Sequence, residues 1–292
     1  MLIDRMALDG IGNAVAIADA VLRQLGDVPI PVPIAEIAGA SGILEIKRIE
    51  TKGFEGALIA PDHKATGIIL VNDRSRPERR RFTIGHELGH FLNPWHRPPE
   101  GGFRCTKTDM FAREDGGKAR MKMEVDANEF SAEMLMPKTC FRQDINKLTS
   151  PGLEHVVELA VRYETSKLAT ARRFVDLHDD AAAIVLTKDG VIEHLHRSRN
   201  FPFISLKSGQ AVHGKSATAC FDGDEDGCSD TDSVVPALWT EKELRPGSEM
   251  YEQVLVQSGG YRITLLSIDE SECDDDYEEY ARDRADWQPR FY

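Results

Sequence analysis

The chain has 292 residues, 41% of them hydrophobic, so it is long enough for two folded domains, and this composition argues against disorder throughout. A formal net charge of -13 argues against salt-driven binding of the whole molecule to a phosphate backbone, although a local basic patch is compatible with it. No apolar run approaches the length of about 20 residues that a membrane-spanning helix needs, and the N-terminus lacks a cationic leader. The sequence therefore predicts a soluble, unexported protein that does not bind membranes. The absence of a C-x-x-C pair fits reduced cysteines in the cytoplasm.

The first part of the chain predicts helices followed by a small antiparallel sheet. Apolar residues recur at helical spacing from Ala14 to Gly26, and a second, proline-started helix is predicted from Pro31 to Gly42. Short β-prone runs follow, separated by Gly, Pro and Asp turns, and they are Ile43–Ile49, Gly56–Ala60 and Thr66–Asn72.

A third helix is predicted from the pattern around residue 77. Ser75 is the expected N-cap, with Pro77 in the first turn and Glu78 three residues after the serine, as in a capping box. The pair Asn93-Pro94 is expected to end the helix, because proline disfavours helical geometry at the preceding residue.

The middle of the chain predicts a long surface loop and then more helices. Residues 97 to 123 are rich in Gly, Pro and charge, whereas 124 to 136 have an apolar stripe that Pro137 ends. Two short helices, 153 to 163 and 167 to 177, carry Arg172 and Arg173 and resemble a helix-turn-helix. They could touch DNA or dock a repressor, or they could simply pack under the preceding domain.

Beyond residue 180 the pattern changes to strands, predicted at Ala183–Thr187, Val191–His196 and Tyr261–Ser267. The tail from Asp269 to Asp286 is acidic enough to form a solvated edge or a partly disordered segment. The predicted fold class is α+β, and the predicted divisions are an N-terminal domain (1–138), a helical segment (139–180) and a C-terminal α+β domain (181–292).

The third predicted helix contains the sequence His86-Glu87-Leu88-Gly89-His90, an H-E-x-x-H motif. Residues four apart lie about 40° apart around a helix, so both imidazoles can face one metal ion. Glu87 is then placed to take a proton from a water that attacks a carbonyl and to pass it to the leaving amine. The motif predicts a catalytic zinc site, and residues 1–138 are therefore predicted to form a zincin-like peptidase domain.

A catalytic zinc site needs a third protein ligand, and spacing leaves two candidates open. His96 has the metzincin spacing, with Asn93 where that pattern usually has glycine. Glu124 begins the next predicted helix, and Asn128 lies on the same face, where it could orient the carboxylate.

The runs RRRFTIGHELGHFL and MEVDANEFSAEMLMP resemble the two motifs of the ImmA/IrrE family of metallopeptidases, in the same order. The resemblance covers roughly residues 10 to 180. This sequence departs from the family pattern with Asp126, Ser131 and Met134, where Glu, Ala and Leu are common. Asp126 is a weaker ligand candidate, since it lies two residues from Glu124 and so points to another face.

The resemblance implies that His86, His90 and Glu124 bind the metal, Zn²⁺ or alternatively Mn²⁺, with Glu87 as general base. It also implies site-specific cleavage of a helix-turn-helix transcriptional repressor in a stress or mobile-element response. Family members can carry a GAF-type sensor domain in the C-terminal position, where a purely structural role is the alternative. The rival function is a noncatalytic transcriptional regulator, or an antitoxin-like binding protein, that uses the zinc fold as a scaffold.

Overall fold

The computed structural model describes residues 2–97, 103–105, 119–148, 150–241 and 243–269. The chain forms two compact units, Met1–Thr149 with His155–Leu177, and Ser150–Glu154 with His178–Tyr292. The acidic tail and most of the predicted surface loop lie outside the described residues. The three-part domain division stays a prediction.

The predicted helices and strands follow one another in the predicted order, further elements lie between them, and the fold class is α+β as predicted. The helices are α1 (Ala14–Arg23), α2 (Ile34–Ala40), α3 (Pro77–Leu92), α4 (Ala119–Leu135), α5 (Lys138–Ile145), α6 (Leu153–Tyr163), α7 (Lys167–Leu177) and α8 (Ala217–Cys220). The strands are β1 (Ile43–Ile49), β2 (Gly56–Ile59), β3 (Gly67–Asn72), β4 (Phe103–Cys105), β5 (Ala181–Lys188), β6 (Val191–Arg197), β7 (Asp232–Ser233), β8 (Glu249–Val256) and β9 (Tyr261–Asp269).

The sheet of the first unit has the strand order β1-β3-β2-β4. Strand β2 pairs antiparallel with both β3 and β4, but β1 pairs parallel with β3. The prediction of a wholly antiparallel sheet is therefore wrong. The chain reverses once between β1 and β2 and again between β2 and β3, so β3 recovers the direction of β1 and lies beside it.

Helices α1 to α4 and the sheet share one apolar core, which places α3 at the centre of the first unit. Its buried members include Ile17, Ile37, Leu58, Ile69, Leu88, Phe91, Phe130 and Met134. Burial of these side chains supplies the main driving force for bringing the helices and the sheet together.

Helix α3 ends as predicted but begins differently. Pro77 occupies its first turn, and the N-cap is Arg76, without a side-chain capping bond. The Ser75 hydroxyl instead donates to Glu55 Oε2 at 2.7 Å, so the predicted capping box is wrong. Asn93 is the C-cap, as expected before Pro94.

Helix α7 packs into the first unit through Arg173. Its guanidinium forms an ion pair with Glu133, whose side chain is only 2% exposed, and also donates to the Met136 carbonyl. Arg162, in α6, pairs with Asp144 at 2.7 Å. Two cations of the helix-turn-helix-like pair are therefore engaged by carboxylates of the same unit, which weakens the argument for DNA contact.

The second unit contains a five-stranded antiparallel sheet in the order β6-β5-β9-β8-β7. The predicted strands correspond to β5, β6 and β9, whereas β7 and β8 were not predicted. Trp239 and Phe201 lie in the apolar core on this sheet. Among the helices described in both units, none combines the length and apolarity that a membrane span requires.

Candidate metal centre

The H-E-x-x-H motif lies in the buried second half of α3. His86, Glu87 and His90 are each 0% exposed. Such polar side chains are rarely buried in a core unless a partner or a metal compensates them. The burial of all three on one helix therefore indicates a functional site.

Two glycines let α4 approach this helix closely. A Cβ added at Gly85 would lie 2.5 Å from Ser131 Oγ, and one added at Gly89 would lie 3.0 Å from Phe130 Cδ1. The Ser131 hydroxyl itself donates to the Phe82 carbonyl at 2.8 Å. Because the glycines have the same four-residue spacing as the histidines, the close helix contact runs alongside the histidine pair.

This approach brings Glu124 of α4 to the two histidines. Glu124 Oε2 lies 3.2 Å from His86 Nε2 and 3.4 Å from His90 Nε2, and the two Nε2 atoms are 3.1 Å apart. Two ligands bound about 2.0–2.1 Å from one tetrahedral zinc are about 3.3 Å apart. These separations therefore fit three ligands of one ion, and the three buried residues form a candidate metal group.

Asn128 sets the orientation of the first histidine. Its Oδ1 lies 2.9 Å from His86 Nδ1, so an N–H at Nδ1 donates to the amide oxygen. The hydrogen then resides on Nδ1, and Nε2 keeps a lone pair for a metal. The structure thus places Asn128, the predicted orienting residue, on the histidine rather than on the carboxylate.

The other two ligand candidates lie on the far side of His90. His96 Nδ1 is 3.0 Å from His90 Nδ1, the ring nitrogen that faces away from Glu124. Asp126 Oδ2 lies 3.4 Å from His96 Nε2. Of the candidates for the third ligand, the structure therefore brings Glu124 to the histidine pair and places His96 and Asp126 behind it.

Electrostatics favour the protonation states that a metal needs. Burial raises the pKa of Glu124, but hydrogen bonds with His86 and His90 outweigh it and hold that pKa below its usual range. Burial lowers the pKa of His90 to about 4. At neutral pH the carboxylate is therefore charged and the His90 imidazole is neutral.

Glu87 faces the sheet at strand β2. A Cβ added at Gly56 would lie 2.6 Å from Glu87 Oε1 and 2.3 Å from the Thr83 methyl carbon. Only glycine leaves room for the carboxylate at this point of the strand. The sequence did not lead us to Gly56, Gly85 or Gly89. For Gly85 and Gly89, the available signal was a glycine directly before each histidine of the motif.

The end of the site helix is fixed by a buried lysine. Lys64 is 6% exposed, and its ammonium donates to the His90 carbonyl at 2.7 Å and the Asn93 carbonyl at 2.8 Å. A cation at a helix C-terminus satisfies free carbonyls and opposes the helix dipole. A cavity of about 840 Å³ lies against this region, with Lys64, Phe91 and His96 in its wall.

An α+β domain with a helical H-E-x-x-H sequence and a carboxylate from the next helix is a zincin-like metallopeptidase domain. Residues 46–175 match the family model described as the IrrE N-terminal-like domain. This match supports the assignment to the ImmA/IrrE family that the sequence motifs predicted. Protease activity is thereby supported at the level of the family.

Two curated relatives are similar over part of the chain. The radiation response metalloprotease IrrE of Deinococcus radiodurans is 29% identical over 130 residues, which are 44% of this chain and 36% of the relative. The protein of the same name from Deinococcus deserti is 30% identical over 106 residues, 36% of this chain and 34% of the relative. The chain thus spans about a third of the length of these relatives.

A solved structure, a Mycobacterium tuberculosis transcriptional regulator, aligns with a TM-score of 0.47 and 9% identity over 90% of this chain and 73% of its own.

Proposed function

We propose that this protein is a zinc-dependent endopeptidase that cleaves a helix-turn-helix transcriptional repressor at one site. The observation that supports the peptidase activity most directly is the meeting of His86 Nε2, His90 Nε2 and Glu124 Oε2 beside Glu87 on a buried helix. The match of residues 46–175 to a metallopeptidase family model points to the same chemistry.

The donor set suits zinc. Two neutral imidazoles and one carboxylate are a common protein ligand set for catalytic zinc, which leaves a further position open. When bound, zinc lowers the pKa of water toward neutrality and polarises a carbonyl oxygen. His86 and His90 would each offer Nε2, and Glu124 would offer one carboxylate oxygen.

Glu87 is the proposed general base. Its side chain is 0% exposed, and it directly follows the proposed ligand His86 in the chain. In the proposed reaction a Glu87 oxygen takes a proton from the attacking water and then donates it to the nitrogen of the scissile peptide bond. Gly56 leaves the space in which this carboxylate lies.

The substrate class is proposed from the relatives and from charge. Both relatives are named radiation response metalloproteases, which supports a role in a stress response. A repressor that binds DNA carries a basic surface, and this chain has a formal charge of -13, so the two would attract each other. The same charge, together with the internal ion pair of Arg173, disfavours direct DNA binding.

The test is to incubate the zinc-loaded protein with the repressor encoded nearest to it and to compare Glu87→Gln. Glutamine is nearly isosteric but cannot accept the proton, so the variant should keep wild-type zinc content and lose cleavage. Glu78→Gln, a change in the first turn of the same helix, is the matched control and should cleave normally.

Two results would contradict the proposal. Cleavage by Glu87→Gln at the wild-type rate would exclude the role of Glu87. A regulatory effect on the repressor's genes that persists in Glu87→Gln would favour the noncatalytic regulator instead.

A further inference from the structure

His96 is buried behind the metal-binding face of His90. It is 1% exposed, and its Nδ1 lies 3.0 Å from His90 Nδ1. Two imidazole nitrogens at this distance share one hydrogen, so one of them donates and the other accepts. The tautomer of His96 therefore decides which nitrogen of His90 keeps a lone pair.

Asn93 favours the arrangement that opposes metal binding. Its Oδ1 accepts from the Trp95 backbone N–H at 2.9 Å, which turns its Nδ2 toward His96 Nε2 at 3.0 Å. If His96 Nε2 accepts this bond, its Nδ1 carries the hydrogen and donates to His90. His90 then carries its own hydrogen on Nε2, the nitrogen that faces Glu124.

Asp126 favours the opposite arrangement. Its Oδ2 lies 3.4 Å from His96 Nε2 and can accept a hydrogen there. His96 Nδ1 is then an acceptor, His90 Nδ1 donates to it, and His90 Nε2 has its lone pair available for a metal. The pair keeps the same number of hydrogens, since one leaves His90 Nε2, one joins His96 Nε2 and the shared one crosses to His90.

We propose that His96 and Asp126 are positioning residues that hold His90 in its metal-binding tautomer, through the chain Asp126–His96–His90. The inference rests on the proposed zinc site and adds two residues to it. Carboxylate or carbonyl partners of metal-bound histidines act in this way in other sites, and their loss typically lowers metal affinity about 10- to 100-fold. Here an intervening imidazole would transmit the effect of the carboxylate.

The experiment measures zinc affinity by competition with a chelator for the wild type, His96→Ala, Asp126→Ala and the double variant. We expect about a 10- to 100-fold loss for His96→Ala and a smaller loss for Asp126→Ala. In the His96→Ala background, Asp126→Ala should cause no further loss, because the imidazole that connects the carboxylate to His90 is gone. His63→Ala and Asp62→Ala, changes at exposed residues, are the matched controls.

His96→Gln separates positioning from simple filling of space. Its amide oxygen can accept from His90 Nδ1, so it should recover part of the zinc affinity and part of the visible spectrum of the Co²⁺-loaded protein. It also serves if His96→Ala fails to fold.

The outcomes are distinguishable. A wild type that takes up no zinc overturns the proposed function itself. A wild type that binds zinc while His96→Ala binds equally well overturns only the positioning role. Additive losses in the double variant overturn the chain, since an independent electrostatic effect of Asp126 would persist without His96.

Discussion

Each histidine of the candidate site has a polar contact on the ring nitrogen that faces away from Glu124. Asn128 contacts Nδ1 of His86, and His96 contacts Nδ1 of His90. A hydrogen bond at one ring nitrogen fixes the orientation of the imidazole ring and decides whether the other nitrogen carries a hydrogen. The three donor atoms therefore converge with the help of residues outside the H-E-x-x-H motif. The motif supplies only two of the three ligands, and the contacts of Asn128 and His96 orient them.

Burial of these groups predicts acid sensitivity of the metal-free protein. The pKa of His90 is lowered by burial to about 4, below the value of about 6.5 expected in the unfolded chain. Between these values the unfolded chain binds more protons than the folded one, so stability is lost as the pH falls from about 6.5 toward 4. The pKa of Glu124 is also lowered, and it acts in the same direction at lower pH.

We therefore expect the urea midpoint of the chelator-treated protein to fall between about pH 7 and about pH 5. His90→Gln should flatten this part of the curve, whereas His63→Gln, at an exposed histidine, should leave it unchanged. An identical pH dependence in the wild type and in His90→Gln would show that His90 is not the titrating group.

Between elements, the contact of α3 with α4 depends on glycine. Alanine in a helix interior normally adds up to about 1 kcal/mol of stability relative to glycine. Gly85→Ala should do the reverse, because its Cβ would meet Ser131 Oγ at 2.5 Å. Overpacking of this kind typically costs about 1–3 kcal/mol, and moving α4 outward would also weaken zinc binding through Glu124.

Gly39→Ala is the matched control, since nothing lies within 4 Å of the added carbon in α2. It should leave zinc affinity unchanged and stabilise the fold slightly. A second change, Ser131→Ala, removes the closest atom and should restore part of what Gly85→Ala loses. Equal zinc affinity in Gly85→Ala and the wild type would mean that the close helix contact does not position Glu124.

Local patterns predicted the site helix better than the sheet. Periodicity and Pro94 located α3 and its end, because these effects depend on neighbouring residues. The start was wrong because Ser75 bonds to Glu55, twenty residues earlier in the chain. The parallel pairing of β1 with β3 was also not predicted, because turn residues indicate only how consecutive strands are connected.

The C-terminal strand β8 was missed for a related reason. It contains Glu252 and Gln253, which are 1% and 6% exposed, although a sequence pattern assigns such residues to a solvated face. The Glu252 carboxylate accepts hydrogen bonds from Thr218 N at 2.8 Å and Thr218 Oγ1 at 2.6 Å. Hydrogen bonds from residues distant in the sequence thus offset the cost of burying this carboxylate. A pattern of neighbouring residues does not predict such bonds.

At the scale of the whole molecule, charge predicts how a protein substrate is captured. A chain with a net charge of -13 attracts a basic partner, and this attraction is screened over about 10 Å at 0.1 M salt. We expect kcat/KM for cleavage of the basic repressor to fall as salt rises.

A short uncharged peptide that spans the cleavage site is the control, and its kcat/KM should change little over the same salt range. A repressor cleaved equally fast in low and high salt would indicate that encounter does not depend on the acidic surface. The peptide comparison separates this effect from any influence of salt on the metal centre.

The most direct test of the account is a crystal structure of the zinc-loaded protein with anomalous diffraction recorded at the zinc edge. We predict one peak bonded to His86 Nε2, His90 Nε2 and a Glu124 oxygen, with His96 in contact with His90 and not with the zinc. A peak ligated by His96 in place of Glu124, or fully loaded crystals without a peak between these helices, would contradict it.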